Sequence, residues 1–147
     1  MGGSVYYSLF NELGANVPKP DLEEVKKQIF ALTDCIDDGL VLSCHDIADG
    51  GVAAAIAEMT FGNSIGYNVK IESDLSVDKI LFSETGGFIL EVLPENIDTI
   101  KSVFSNYGLD VFEIGSTGGE SIEINGFTDI YVTETKNAWT NGLREKL

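Results

Sequence analysis

The sequence predicts an α+β domain in which helices pack a mixed β-sheet. Three observations carry that expectation. Strand-like and helix-like apolar patterns alternate through the first two thirds of the chain. A hairpin signal, Asn125-Gly126, follows late. No internal repeat, low-complexity tract or inner boundary interrupts the 147 residues, so residues 1–147 read as a single domain.

The elements follow in order. Val5, Tyr6, Leu9, Phe10 and Leu13 recur at helical spacing within residues 2–13, with Ser4 as N-cap and Gly14 as terminator. Val17-Pro18-Lys19-Pro20 is an extended connector, because proline biases its predecessor away from helix. Asp21 caps the next helix with Glu24 as its capping-box partner. Leu22, Val25, Ile29, Leu32 and Ile36 give that helix a core face, and Asp38-Gly39 stops it. A short buried strand, Val41 to Cys44, leads through a polar turn into an alanine-rich helix ending near Met59. That helix is apolar nearly all round, which implies burial on both sides. Tyr67, Val69 and Ile71 alternate with polar residues as a half-buried strand. Residues 73–82 form a turn and a short helix, and Ser83 to Gly87 a polar, glycine-bearing loop. Phe88 to Leu93 is a strand, and Pro94 opens a helix whose face is Ile97, Ile100, Val103, Phe104 and Tyr107. Strands are expected at Val111–Ser116, Ser121–Ile124 and Phe127–Val132. Thr133 caps a last helix with Trp139, Leu143 and Leu147 on one face.

Composition narrows the function. Hydrophobic residues are 44% of the chain, enough for a packed core, and no apolar run reaches the length of a membrane span. No signal peptide is visible, and Tyr6 occupies the position where a myristoylation motif requires Ser or Thr. The net charge of −15 repels nucleic acid and anionic lipid, so neither is an expected partner. It also directs any phosphate toward backbone N–H groups and metal ions, since Arg144 is the only arginine. Cys35 and Cys44 form no Cys-x-x-Cys pair and read as small buried thiols in a reducing compartment, the cytoplasm.

The polar turn carries the chemistry. His45, Asp46 and Asp49 precede Gly50-Gly51 at the start of a helix. A helix start offers unpaired N–H groups and the positive end of the dipole, and glycine allows close approach: a recipe for a phosphate or a metal–phosphate. The plainer reading makes Asp49 the N-cap, Gly50-Gly51 a tight turn, and His45 a hydrogen-bonded positioning residue rather than a general acid or base. Glu84 reads as a solvated loop acid.

Cys44-His45-Asp46-Ile47-Ala48-Asp49-Gly50-Gly51-Val52, with Ala57-Glu58-Met59 after it, resembles the His-Asp-x-Ser-Asp-Gly-Gly-Leu…Ala-Glu-Met signature of the phosphoribosylformylglycinamidine synthase family. Met1-Gly2-Gly3-Ser4-Val5-Tyr6, Leu81-Phe82-Ser83-Glu84 and Ala138-Trp139 are similar to further family segments in the same order. The resemblance covers essentially the whole chain. It implies the fold of the aminoimidazole ribonucleotide synthetase C-terminal domain, and a C-terminal piece of a larger synthetase. That synthetase uses ATP and Mg²⁺ to convert formylglycinamide ribonucleotide to its amidine in purine biosynthesis. Its implied partners are the preceding synthetase domains, a glutaminase subunit or domain that supplies ammonia, and the small ribonucleotide substrate. By the same resemblance Asp46 matches a Mg²⁺-holding aspartate, as suits a hard oxygen ligand. His45, Asp46, Ala48, Asp49, Gly50 and Gly51 fall on the nucleotide or phosphate turn. Ala48 stands where the family has a nucleotide-contacting serine, so that hydroxyl is missing. No arginine precedes Phe88, where many small forms carry one. The resemblance also implies that the main catalytic histidines and most Mg²⁺ ligands lie in preceding domains. The alternatives are a related ATP-using synthetase for aminoimidazole ribonucleotide or selenophosphate, and a non-catalytic docking module.

Overall fold

A computed structural model of the chain describes residues 1–126 and 128–142. The elements run α1 (Val5–Ser8), α2 (Leu22–Asp37), β1 (Val41–Asp46), α3 (Gly51–Thr60), β2 (Tyr67–Val69), α4 (Val77–Phe82) and β3 (Phe88–Val92). A single 3₁₀ turn, Pro94–Asn96, then leads into α5 (Ile97–Asn106), β4 (Gly115–Thr117), β5 (Ser121–Ile124), β6 (Thr128–Tyr131) and α6 (Val132–Asn141). The class is α+β as expected, but the strands divide into two sheets. β1 and β3 make an antiparallel ribbon, and β4-β2-β5-β6 make a four-stranded sheet in which only β2 and β5 run parallel.

Two apolar clusters hold these layers. Helices α2 and α5 pack on one face of the ribbon through Ala31, Leu32, Cys35, Ile100 and Phe104 against Leu90 and Val92. Helix α3 lies between the ribbon and the four-stranded sheet, where Ile56 meets Val69, Leu81, Ile122 and Val132 while Ile89 reaches it from β3. No residue of α3 is fully exposed, which matches its apolar circumference.

The local signals act through identifiable bonds. The Asp21 carboxylate accepts from the N–H groups of Glu23 and Glu24 at the start of α2. Glu24 does not return the capping-box bond; its carboxylate accepts from Gln28 instead. Asn125 and Gly126 both take positive φ, 52° and 70°, in the connection between β5 and β6, which is three residues long because Ile124 pairs with Thr128. The Asn125 side chain also brackets Ile71, accepting from its N–H at 2.6 Å and donating to its carbonyl at 2.9 Å.

Several expected elements are altered. The first helix spans four residues, because Gly2 and Gly3 donate to the carbonyls of Asn16 and Leu13 and close residues 1–16 into a loop. Leu9, Phe10 and Leu13 are therefore exposed rather than core. Ser4 is nonetheless the N-cap, accepting from the Tyr7 N–H. Ile29 and Ile36 lie on the exposed side of α2, whose contact with α5 is narrower than the apolar stripe. No strand covers residues 111–114: β2 ends at Val69, and past it the pairing with this segment continues through the Lys70 N–H, which donates to the Ile114 carbonyl at 2.6 Å. The last helix is capped by Tyr131, not Thr133, because β6 runs straight into it. Trp139 is exposed and touches Phe61, ring centroids 5.4 Å apart, while Leu143 and Leu147 lie outside the described residues. Among the described residues no helix is long and apolar enough to cross a membrane.

Candidate functional site

Strand β1 extends two residues beyond the predicted end, so His45 and Asp46 belong to the strand and only residues 47–50 connect it to α3. Ladder pairing sets His45 opposite Ile89 and Asp46 opposite Phe88. The Ile47 N–H donates to the Gly87 carbonyl, binding this turn to the loop that precedes β3. Cys44 is exposed, contrary to the expectation of two buried thiols; Cys35 alone is buried.

His45 is held at both ring nitrogens. Nδ1 is 2.7 Å from the Asp46 carbonyl oxygen and Nε2 is 3.0 Å from Glu58 Oε2 on α3. Asp46 Oδ1 lies 3.5 Å from Nδ1. The bond to the Asp46 carbonyl raises the imidazole pKa above its usual 6.5, the Glu58 bond and charge add to this, and partial burial opposes it. Both ring nitrogens are thus bonded within the chain, the arrangement of a positioning residue that ties the ribbon to α3.

The diglycine departs from the simple N-cap picture. Gly50, not Asp49, is the N-cap residue, at φ 79° in the left-handed region, and Asp49 is exposed one position earlier. Gly51 also has positive φ, 67°, and a β-carbon there would sit 2.7 Å from the Leu81 carbonyl oxygen. Glycine is therefore required at 51 for conformation and for space. The Gly51 N–H donates to the Ala48 carbonyl. The Gly50 N–H donates at 3.0 Å to Glu84 Oε1. The same oxygen accepts from the Val5 N–H at 2.8 Å. Glu84 is a half-buried link across three segments, not a solvated loop acid. Nothing in the sequence marked it beyond its place in a glycine-bearing loop, since its partners lie 34 and 79 residues away.

Among the described residues no three His, Cys, Asp or Glu side chains converge as a metal cage. Asp46, with its side chain 64% exposed, fits one ligand of a cation shared with phosphates and water, the usual habit of Mg²⁺, and does not fit a closed protein site. Two concavities, of about 370 and 860 Å³, lie elsewhere: one beside Asp34, Asp38 and Tyr107, the other between β2, α4 and Asn125.

Such an arrangement defines a class: an α+β domain with the exposed carboxylates of Asp46 and Asp49 beside a diglycine turn whose amides are bonded within the chain. Residues 1–125 match the family described as AIR synthase related protein, C-terminal domain. The chain belongs to that family. It is 33% identical, over an alignment of 154 residues, to the phosphoribosylformylglycinamidine synthase subunit PurL of Methanothrix thermoacetophila, covering 100% of this chain and 20% of the relative. To the same subunit of Methanocaldococcus jannaschii it is 38% identical over 130 residues, covering 84% and 17%. The structure of PurLQS from Thermotoga maritima shares its fold with a TM-score of 0.73 at 19% identity, over 86% of this chain and 23% of that one. T. maritima PurL complexed with ATP does so with a TM-score of 0.69 at 20% identity, over 80% and 22%. The chain thus spans about a fifth of the length of the PurL relatives.

Proposed function

We propose that this chain is the C-terminal domain of the synthetase subunit of phosphoribosylformylglycinamidine synthase and supplies one wall of a nucleotide crevice. The observation that carries the reading is the 33% identity with a PurL subunit along the entire chain. The parent reaction forms a C–N bond: ATP phosphorylates the amide oxygen of formylglycinamide ribonucleotide, and ammonia from glutamine displaces the phosphate. In this reading the chain's own contribution is positional. The Asp46 carboxylate would hold Mg²⁺, which when bound would neutralise phosphate charge. His45 fixes the Asp46 backbone through its carbonyl. Ala48, Asp49, Gly50 and Gly51 shape the turn that faces the nucleotide. The partners are the preceding synthetase domains and a cytoplasmic glutaminase subunit or domain.

The test is a domain exchange. This chain replaces the matching domain of the M. thermoacetophila subunit, and ADP release is followed with ATP, Mg²⁺, ammonia and formylglycinamide ribonucleotide. Substrate-dependent ADP release that weakens at limiting Mg²⁺ in Asp46→Ala is the expected result. A folded chimera that releases ADP only with formylglycinamidine ribonucleotide would favour an aminoimidazole ribonucleotide synthetase and overturn the proposal.

A further inference from the structure

The diglycine turn already holds an anion, and it comes from the chain itself. Glu84 Oε1 accepts from Gly50 at 3.0 Å and from Val5 at 2.8 Å, the first at the start of α3 and the second at the start of α1. Beside it Tyr6 of α1 stacks on Phe82 at the end of α4, centroids 4.5 Å apart and planes 8° from parallel. Three chain segments, 79 residues apart at the extremes, therefore converge on one carboxylate oxygen.

We infer that Glu84 is a positioning residue that straps the N-terminal loop, residues 1–16, onto the diglycine turn and fills the place at the Gly50 amide where a phosphate would bind. A carboxylate there repels a second anion at hydrogen-bonding distance. The inference concerns only these contacts and holds or fails independently of the proposed parent enzyme. A phosphate that meets this turn is then left without the Gly50 amide as a donor.

Two substitutions separate the bonds in the 147-residue chain. Glu84→Ala removes both. Val5→Pro removes only the N–H of Val5, at the first helical position where proline is tolerated, after Ser4 with its extended ψ of 154°. The readout is amide hydrogen exchange followed by NMR. In Glu84→Ala, exchange of the Val5 and Gly50 amides rises by about tenfold or more, as expected for a lost charge-assisted bond, while Ala31 and Ile100 in the other cluster keep their protection. In Val5→Pro, Gly50 stays protected while Gly2 and Gly3, whose amides close the loop, exchange faster. Glu84→Gln, which keeps an acceptor oxygen, restores much of the protection at both amides. Inorganic phosphate leaves the Gly50 resonance of the unsubstituted chain unmoved. Unchanged exchange at Val5 and Gly50 in Glu84→Ala, or a saturable phosphate shift at Gly50 with Glu84 present, would overturn the inference.

Discussion

Alanine at Gly51 and at Gly39 separates crowding from backbone strain. The two glycines have nearly the same φ, 67° and 70°. Alanine in this left-handed region costs about 1–2 kcal/mol at either position. At Gly39 the new methyl meets nothing within 4 Å. At Gly51 it would sit 2.7 Å from the Leu81 carbonyl oxygen and 2.9 Å from backbone atoms of Phe82, and backbone cannot swing aside as a side chain can. Forcing a methyl into such packing costs about 1–3 kcal/mol more. Gly51→Ala should therefore lose about 2–5 kcal/mol and Gly39→Ala about 1–2 kcal/mol. The entropy that alanine removes from the unfolded chain is common to both and drops out of the difference. Against a total of about 5–15 kcal/mol the larger loss is severe. At roughly 3 °C of Tm per kcal/mol for a chain of this size, the falls are about 6–15 °C and 3–6 °C. Urea titration with an unchanged slope, beside a thermal melt, measures both. Equal losses in the two variants would show that the approach of α3 to the end of α4 is not the constraint.

Three further outcomes follow from other parts of the molecule. His45 has a raised pKa in the fold, so its stabilising contribution is complete below the unfolded value of 6.5 and fades as pH rises through the folded value. Glu58→Gln removes a charge that raises that pKa and should flatten the fade; an unaltered dependence of unfolding free energy on pH would contradict the pairing. Asn125→Ala removes both bonds to Ile71 and places alanine at φ 52°, a loss of about 2–4 kcal/mol by urea titration, and a loss well under about 1 kcal/mol would be inconsistent. A thiol reagent should modify Cys44 in the native chain and reach Cys35 only on unfolding. Cys35 is fully buried, and burial first, then Asp34 and Asp38, raise its thiol pKa, so equal native rates would refute this placement.

Signals that act within a few residues were legible in the sequence. The Asp21 cap, the Asn125-Gly126 turn, the strand Phe88–Val92 and the helix over Ile97–Asn106 all stand where local chemistry put them. What failed depends on neighbours that periodicity does not name. The apolar spacing of Leu9, Phe10 and Leu13 is helical, yet the loop closes through Gly2 and Gly3 before a helix extends that far. Residues 111–114 have strand character, but β2 is three residues long, and the bond from the Lys70 N–H to the Ile114 carbonyl just past it does not carry a strand back through them. Ile29 sits in a stripe wider than the groove α5 offers, while Ala31 and Cys35, less prominent in the pattern, are fully buried there. At the candidate site the motif located the turn correctly and misassigned its bonds. His45 and Asp46 finish a strand, Gly50 replaces Asp49 as the cap residue, and Glu84 supplies the long-range bond.

The charge balance and these bonds lead to one electrostatic consequence for the proposed role. A chain of net charge −15 repels a polyphosphate at long range, within the screening length of the solvent. At short range the Gly50 amide is committed to Glu84, and the Gly51 amide to the Ala48 carbonyl. Glu58 is committed to His45, which leaves the exposed carboxylates of Asp46 and Asp49 to meet a ligand at this turn. A carboxylate attracts a phosphate only when a cation stands between them, and one or two carboxylates with phosphate and water complete a Mg²⁺ shell without a protein cage. The wall therefore needs the metal to arrive with the nucleotide or from an opposing domain, and nucleotide stripped of divalent cation should find no purchase on it.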